Sequence, residues 1–190
     1  EKDPITDEHK ELQEEEIKLQ EDIFKDSPLP RQKETQYGGV IIMPIGKDLD
    51  TGEKSVLIEK IYRVPIQKYI LEFPAGMRDP GETDPCLTAL RELKEETGYV
   101  GHNPRPHALV KSDPWKSNST HCQIYVDIDL PQKNLITNLE FEEDITPMWI
   151  KLKDLKENLE KIAKEMDCDL DQRLYAWALG IDFAQKCYSG

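Results

Sequence analysis

In the stretch RELKEETG, residues 91–98, the carboxylates of Glu92, Glu95 and Glu96 fall within one helical turn. Acids that close repel one another, and a helix gains nothing by crowding them. Hard oxygen donors fixed on a rigid element are what Mg²⁺ or Mn²⁺ binds, and a bound cation removes the repulsion. The plainer reading is a solvated acidic face, which three glutamates taken alone indicate more often than a metal site. The choice depends on whether other elements aim the three acids at one point.

The helix carrying them has a second face. Cys86, Leu90, Leu93 and Thr97 recur at three- and four-residue spacing, opposite the acids, and would dock the helix on a core. Asp84 suits the N-cap, Pro85 the first helical position and Gly98 the left-handed position after the last turn. Just upstream, LEFPAGMRDPGE runs a buried strand into a Pro-Ala-Gly turn. Such a turn frees main-chain carbonyls and lets another group approach closely.

The surrounding elements follow from periodicity. YGGVIIMPI, KSVLIEKIY and KYILEF read as strands, as do PHALVK, CQIYVDIDL and TPMWIKL further on. Two helices, roughly 152–166 and 169–187, close the chain. Strands around one internal helix, with more helices at the end, predict an α/β fold: a mixed β-sheet sandwiched between helices. Residues 1–36 read as an N-terminal helical arm and linker, with Ile5, Leu12 and Leu19 in one apolar stripe and Ile17 and Phe24 in another; Pro28 and Pro30 end it. Residues 37–190 form the main domain.

A formal charge of −13 argues against nucleic acid or an anionic membrane as a partner. No apolar run approaches a membrane span. Cys86, Cys122, Cys168 and Cys187 show no paired spacing, so free thiols in a reducing compartment are expected, the cytoplasm first, with nucleus or organelle open. The first residue is Glu, as in a processed or trimmed chain whose targeting segment would not be visible.

Gly76, Glu82 and then Arg91-Glu92-Leu93-Lys94-Glu95-Glu96-Thr97-Gly98-Tyr99 together resemble the Nudix box. The eight residues TDPCLTAL between Glu82 and Arg91 are one more than the family spacing, and the extra one is placed at Thr83-Asp84, ahead of the helix. The resemblance runs through residues 37–187, and EKIYRVPIQKYILEFPAG is similar to the ADP-ribose (ADP-sugar) pyrophosphatase branch. It implies the Nudix fold. It also implies a Mg²⁺-dependent hydrolase, with Mn²⁺ as the alternative ion, cleaving ADP-ribose or a related nucleoside diphosphate sugar to a nucleoside monophosphate and a sugar phosphate.

The resemblance implies residue roles as well. Glu92, Glu96, Glu95 and the carbonyl of Ala75 would hold the metal, and Arg91 and Glu95 belong to the catalytic set. Glu143, or its neighbour Glu142, would be the general base. Arg63, Glu72, Asp113 and Pro114 would bind substrate, and the branch acts as a homodimer with a shared site. Without the resemblance, Arg63 reads as a surface arginine, Glu72 as an edge acid and EFEED as a solvated loop. Two other readings stay open: a Nudix hydrolase for a UDP-sugar or an oxidised nucleoside diphosphate, and a non-catalytic nucleotide-binding module. Intact box acids rank the binder last.

Overall fold

The chain is seen in a computed structural model that describes residues 37–112, 114, 118–139 and 144–188. The arm and linker, residues 1–36, and the predicted site residues Asp113, Glu142 and Glu143 lie outside the described residues.

Eight strands and three α-helices make up the described domain: β1 (Gly39–Asp48), β2 (Lys54–Arg63), β3 (Lys68–Glu72), β4 (Ala75–Met77), α1 (Pro85–Thr97), β5 (His102–Lys111), β6 (Thr120–Leu130), β7 (Ile145–Lys151), α2 (Leu155–Glu165), β8 (Asp169–Leu170) and α3 (Gln172–Tyr188). The sheet is mixed. β1 runs parallel to β6 along its whole length, from Gly39 opposite His121 to Asp48 opposite Leu130. The other edge of β1 is shared: β4 pairs antiparallel with its first residues, and β2 with its last. β2 also pairs antiparallel with β3 and with β7.

Position in the sheet explains composition. β1 is buried on both faces over Gly39–Pro44 and reads accordingly as an unbroken apolar run. Ile41 and Met43 join Val56, Ile58, Leu71 and Phe73 in a core closed by Leu155 and Leu159 of α2 and Leu174 and Ala178 of α3. On the opposite face of the sheet lies α1, whose Leu90 and Leu93 approach Val126 of β6 around Gly101. The predicted docking stripe is borne out, with Cys86, Leu90, Leu93 and Thr97 all buried. Helices therefore cover both faces, as the α/β sandwich reading requires.

Two local details depart from the sequence reading. The Pro-Ala-Gly segment is not only a turn, since Ala75–Met77 is held as strand β4 by β1. The last two helices start later than their apolar patterns suggest, α2 at Leu155 and α3 at Gln172, the latter because Asp169–Leu170 is first drawn into a short parallel pairing with β3. Cys86, Cys122 and Cys168 are buried free thiols and Cys187 is an exposed one, matching the expectation from spacing. Among the described residues no helix is long and apolar enough to cross a membrane.

Candidate active site

α1 is fixed at both ends as its sequence predicts. Asp84, in extended conformation, accepts a hydrogen bond from the Cys86 N–H at 2.9 Å, and Pro85 follows in the first turn. Gly98 ends the helix at φ 74°, its N–H reaching the Lys94 carbonyl. The Gly98 main chain then meets a second segment: Asn138 N–H donates to the Glu95 carbonyl at 2.8 Å, and Ile136 abuts Gly98.

Arg91 organises the acid face. Its Nε and Nη2 grip the Glu82 carboxylate at 2.9 and 3.1 Å, while Nη1 lies 2.8 Å from Glu95 Oε2 and 3.0 Å from Glu92 Oε1. Nη2 also donates to the Met77 carbonyl at 3.1 Å, tying the helix to the end of β4. Asp79 stands 3.7 Å away. The extra residue before α1 therefore does not displace Glu82 from Arg91. It is absorbed in the loop, where Glu82 additionally accepts from the Asp79 N–H at 2.9 Å and the Thr88 hydroxyl at 2.7 Å.

The charges respond to these contacts. Burial works to raise the Glu82 pKa, but Arg91, the Asp79 N–H and Thr88 outweigh it and hold the carboxyl below its usual range. Glu92 goes the other way. Burial, with Glu95 and Asp79 nearby, pushes it up to about 7 despite the opposing pull of Arg91. Glu95 is half-buried, and Glu96 is buried at 6% exposure.

Gly76 shows why the turn needs glycine. A Cβ there would sit 1.9 Å from Glu92 Cδ, so the bare backbone of β4 lies directly against that carboxyl. Ala75, the predicted carbonyl ligand, is the preceding residue. Among the described residues no three or more His, Cys, Asp or Glu side chains stand grouped so as to hold a metal ion by themselves. The donor set nevertheless fits a hard cation. One guanidinium faces four carboxylates within 4 Å, Glu96 adds a fifth acid on the same helix, and all the donors are oxygen. Mg²⁺ keeps several waters and substrate oxygens, so it needs a partial set such as this one rather than a full cage.

The other predicted residues divide. Arg63, 45% exposed at the end of β2, ion-pairs with Glu72 on β3, whose side chain is 5% exposed. Burial pushes the Glu72 carboxyl up, with Arg63 and then Arg173 pulling it down. Glu72 is thus a buried partner of Arg63, not an edge acid. Pro114 is exposed between β5 and β6, apart from these contacts. Sequence reading missed four contributors: Tyr37 and Thr88 behind Glu82, the Met77 carbonyl, and Arg173, which Asp171 pins at the start of α3. None lies at a spacing that would have singled it out.

The NUDIX domain model matches residues 45–170. The chain is 33% identical to an ADP-ribose pyrophosphatase of Saccharomyces cerevisiae over 186 residues, covering 90% of this chain and 78% of that protein. It is 35% identical to an ADP-sugar pyrophosphatase of Mus musculus over 137 residues, covering 69% of this chain and 61% of the mouse protein. Among solved structures, a Nudix hydrolase from M. smegmatis matches with a TM-score of 0.51 at 16% identity, over 80% of this chain and 88% of that one, a likeness of fold.

Proposed function

The chain belongs to the NUDIX family, whose members act on phosphorus anhydrides, and on that premise we propose that it hydrolyses ADP-ribose or a related nucleoside diphosphate sugar with Mg²⁺ as cofactor. The observation that carries the reading is the assembly of Glu82, Arg91, Glu92 and Glu95 against the bare backbone of Gly76. It is supported by two relatives named for ADP-ribose and ADP-sugar pyrophosphatase activity.

Each residue has a task in this reading. Arg91 spaces Glu92 and Glu95, and Glu82 holds Arg91 in place. Glu92, Glu95, Glu96 and the Ala75 carbonyl would hold the divalent cation, which when bound would supply charge neutralisation and Lewis acidity at the diphosphate. Glu143, or Glu142 beside it, takes the proton from the attacking water. Arg63, oriented by Glu72, binds a phosphate or ribose oxygen through its fork of donors, and this reading assigns Asp113 and Pro114 to substrate binding as well. The enzyme acts as a homodimer.

A substrate panel with Mg²⁺, comparing ADP-ribose, ADP-glucose, a UDP-sugar and an oxidised nucleoside diphosphate, tests the assignment. Chromatography should show AMP and ribose phosphate from ADP-ribose as the fastest products. Preferred cleavage of the UDP-sugar or the oxidised nucleotide would replace this substrate class with another, and no cleavage of any would leave a binding module.

A further inference from the structure

Behind the acid cluster, a chain of hydrogen bonds reaches Glu82 from the core side of α1. Tyr37, 2% exposed just before β1, places its hydroxyl 2.9 Å from Thr88 Oγ1. Thr88 is fully buried on α1, and its Oγ1 is 2.7 Å from Glu82 Oε2. The direction of both bonds is fixed by chemistry. Glu82 takes two donors from Arg91, so it is an ionised carboxylate that accepts only. Thr88 has a single hydroxyl proton and gives it to Glu82, leaving Tyr37 as the donor to Thr88.

We propose that Tyr37 and Thr88 are positioning residues for the acid cluster: their hydroxyl relay fixes Glu82, and through it the Arg91 guanidinium, where it spaces Glu92 and Glu95 for a divalent cation. The inference rests on the metal reading of α1 above.

Rigidity is the physical reason. Glu82 belongs to the loop between β4 and α1, and Asp79 and Arg78, its other local partners, are exposed residues of that same loop. Arg91 is a long side chain on the acid face and cannot locate itself. Among the described residues, Thr88 and Tyr37 are the side chains that connect Glu82 directly to the packed interior, where side chains have one position. Arg78 closes the arrangement from outside, its guanidinium carbon 5.6 Å from the Tyr37 ring centroid and its Nη1 donating to the Glu82 carbonyl at 2.8 Å. A hydrogen bond to a charged acceptor is among the stronger ones, so its loss should reach the far end of the chain.

Mn²⁺ uptake by the metal-free full chain, without substrate, tests this by the loss of the free-ion electron paramagnetic resonance signal. Melting temperatures are measured in parallel. Thr88→Val, which keeps the shape and removes the hydroxyl, should weaken Mn²⁺ binding roughly tenfold, and Tyr37→Phe about threefold. Thr88→Ser should restore affinity to within about twofold of wild type, because it returns the donor to a charged acceptor. In the Thr88→Val background Tyr37→Phe should add nothing, since its effect passes through Thr88. Lower melting temperatures with unchanged Mn²⁺ affinity in Tyr37→Phe, the variant least disruptive to folding, would mean the relay serves only packing and would overturn the inference. Wild-type protein that takes up no Mn²⁺ removes the metal reading itself, and the inference falls with it.

Discussion

Arg91 carries one positive charge among four carboxylates, and that imbalance fixes what single substitutions should do. Glu96→Gln should lower turnover by at least about two orders of magnitude, as loss of part of a cation clamp does. Near-normal Mg²⁺-dependent activity in Glu92→Gln/Glu96→Gln would remove the metal site. Glu143→Gln should depress kcat far more than it changes KM, because a general base acts only in the transition state. A large effect at Glu142 and a small one at Glu143 would move the base by one residue. Glu92 adds a pH signature. Its folded pKa of about 7 lies above the ordinary 4.5, so the folded state binds this proton more tightly than the unfolded state does. Its contribution to stability is full below about pH 4.5 and is lost as pH rises through about 7. Thermal melts of the metal-free protein should therefore fall more steeply over that range in wild type than in Glu92→Gln. Equal slopes would show that Glu92 ionises normally.

The elements that position these residues were legible in the sequence to different degrees. α1 was read nearly to the residue, because an N-cap, a proline and a C-terminal glycine mark its ends and its apolar stripe repeats with the helix. The acids were found for the same reason, since helical spacing maps sequence directly onto one face. β4 was not read as a strand: three residues, one of them glycine, carry no alternating pattern, and only pairing with β1 makes them extended. The Tyr37–Thr88 contact joins residues 51 apart, and a contact at that separation leaves no local trace. Burial of Glu72 was also hidden, because it comes from cross-strand pairing and from Arg63 on β2, not from its own neighbours. The contact between β4 and α1 makes the sharpest test at this scale. Gly76→Ala would set a methyl 1.9 Å from Glu92 Cδ, so the carboxyl must move. The protein should still fold, with its circular dichroism spectrum retained, while Mn²⁺ affinity falls at least about tenfold, as for loss of a charged ligand's placement. Unchanged affinity would mean Glu92 is not a ligand.

At the scale of the whole molecule, the apolar stripes read in residues 1–27 need a surface to cover them, since an isolated helix of that length is marginal in water. The homodimer is expected to provide it. Sedimentation of the full chain should give a dimer, and a chain starting at Ser27 should dissociate more readily; monomers in both cases would end the dimer proposal and leave the metal site standing. The parallel pairing of β1 with β6 has a consequence of its own. It joins residues 82 positions apart, and α1 with every acid of the box lies inside the loop it closes. Closing a long loop costs entropy before any contact rewards it, and such non-local pairing slows folding. During synthesis the box leaves the ribosome well before β6, at about 5–20 residues per second, so its glutamates exist for seconds as a bare acidic segment with only half a sheet to dock on. The site is therefore born late: Leu90 and Leu93 have no Val126 to pack against until β6 has been made.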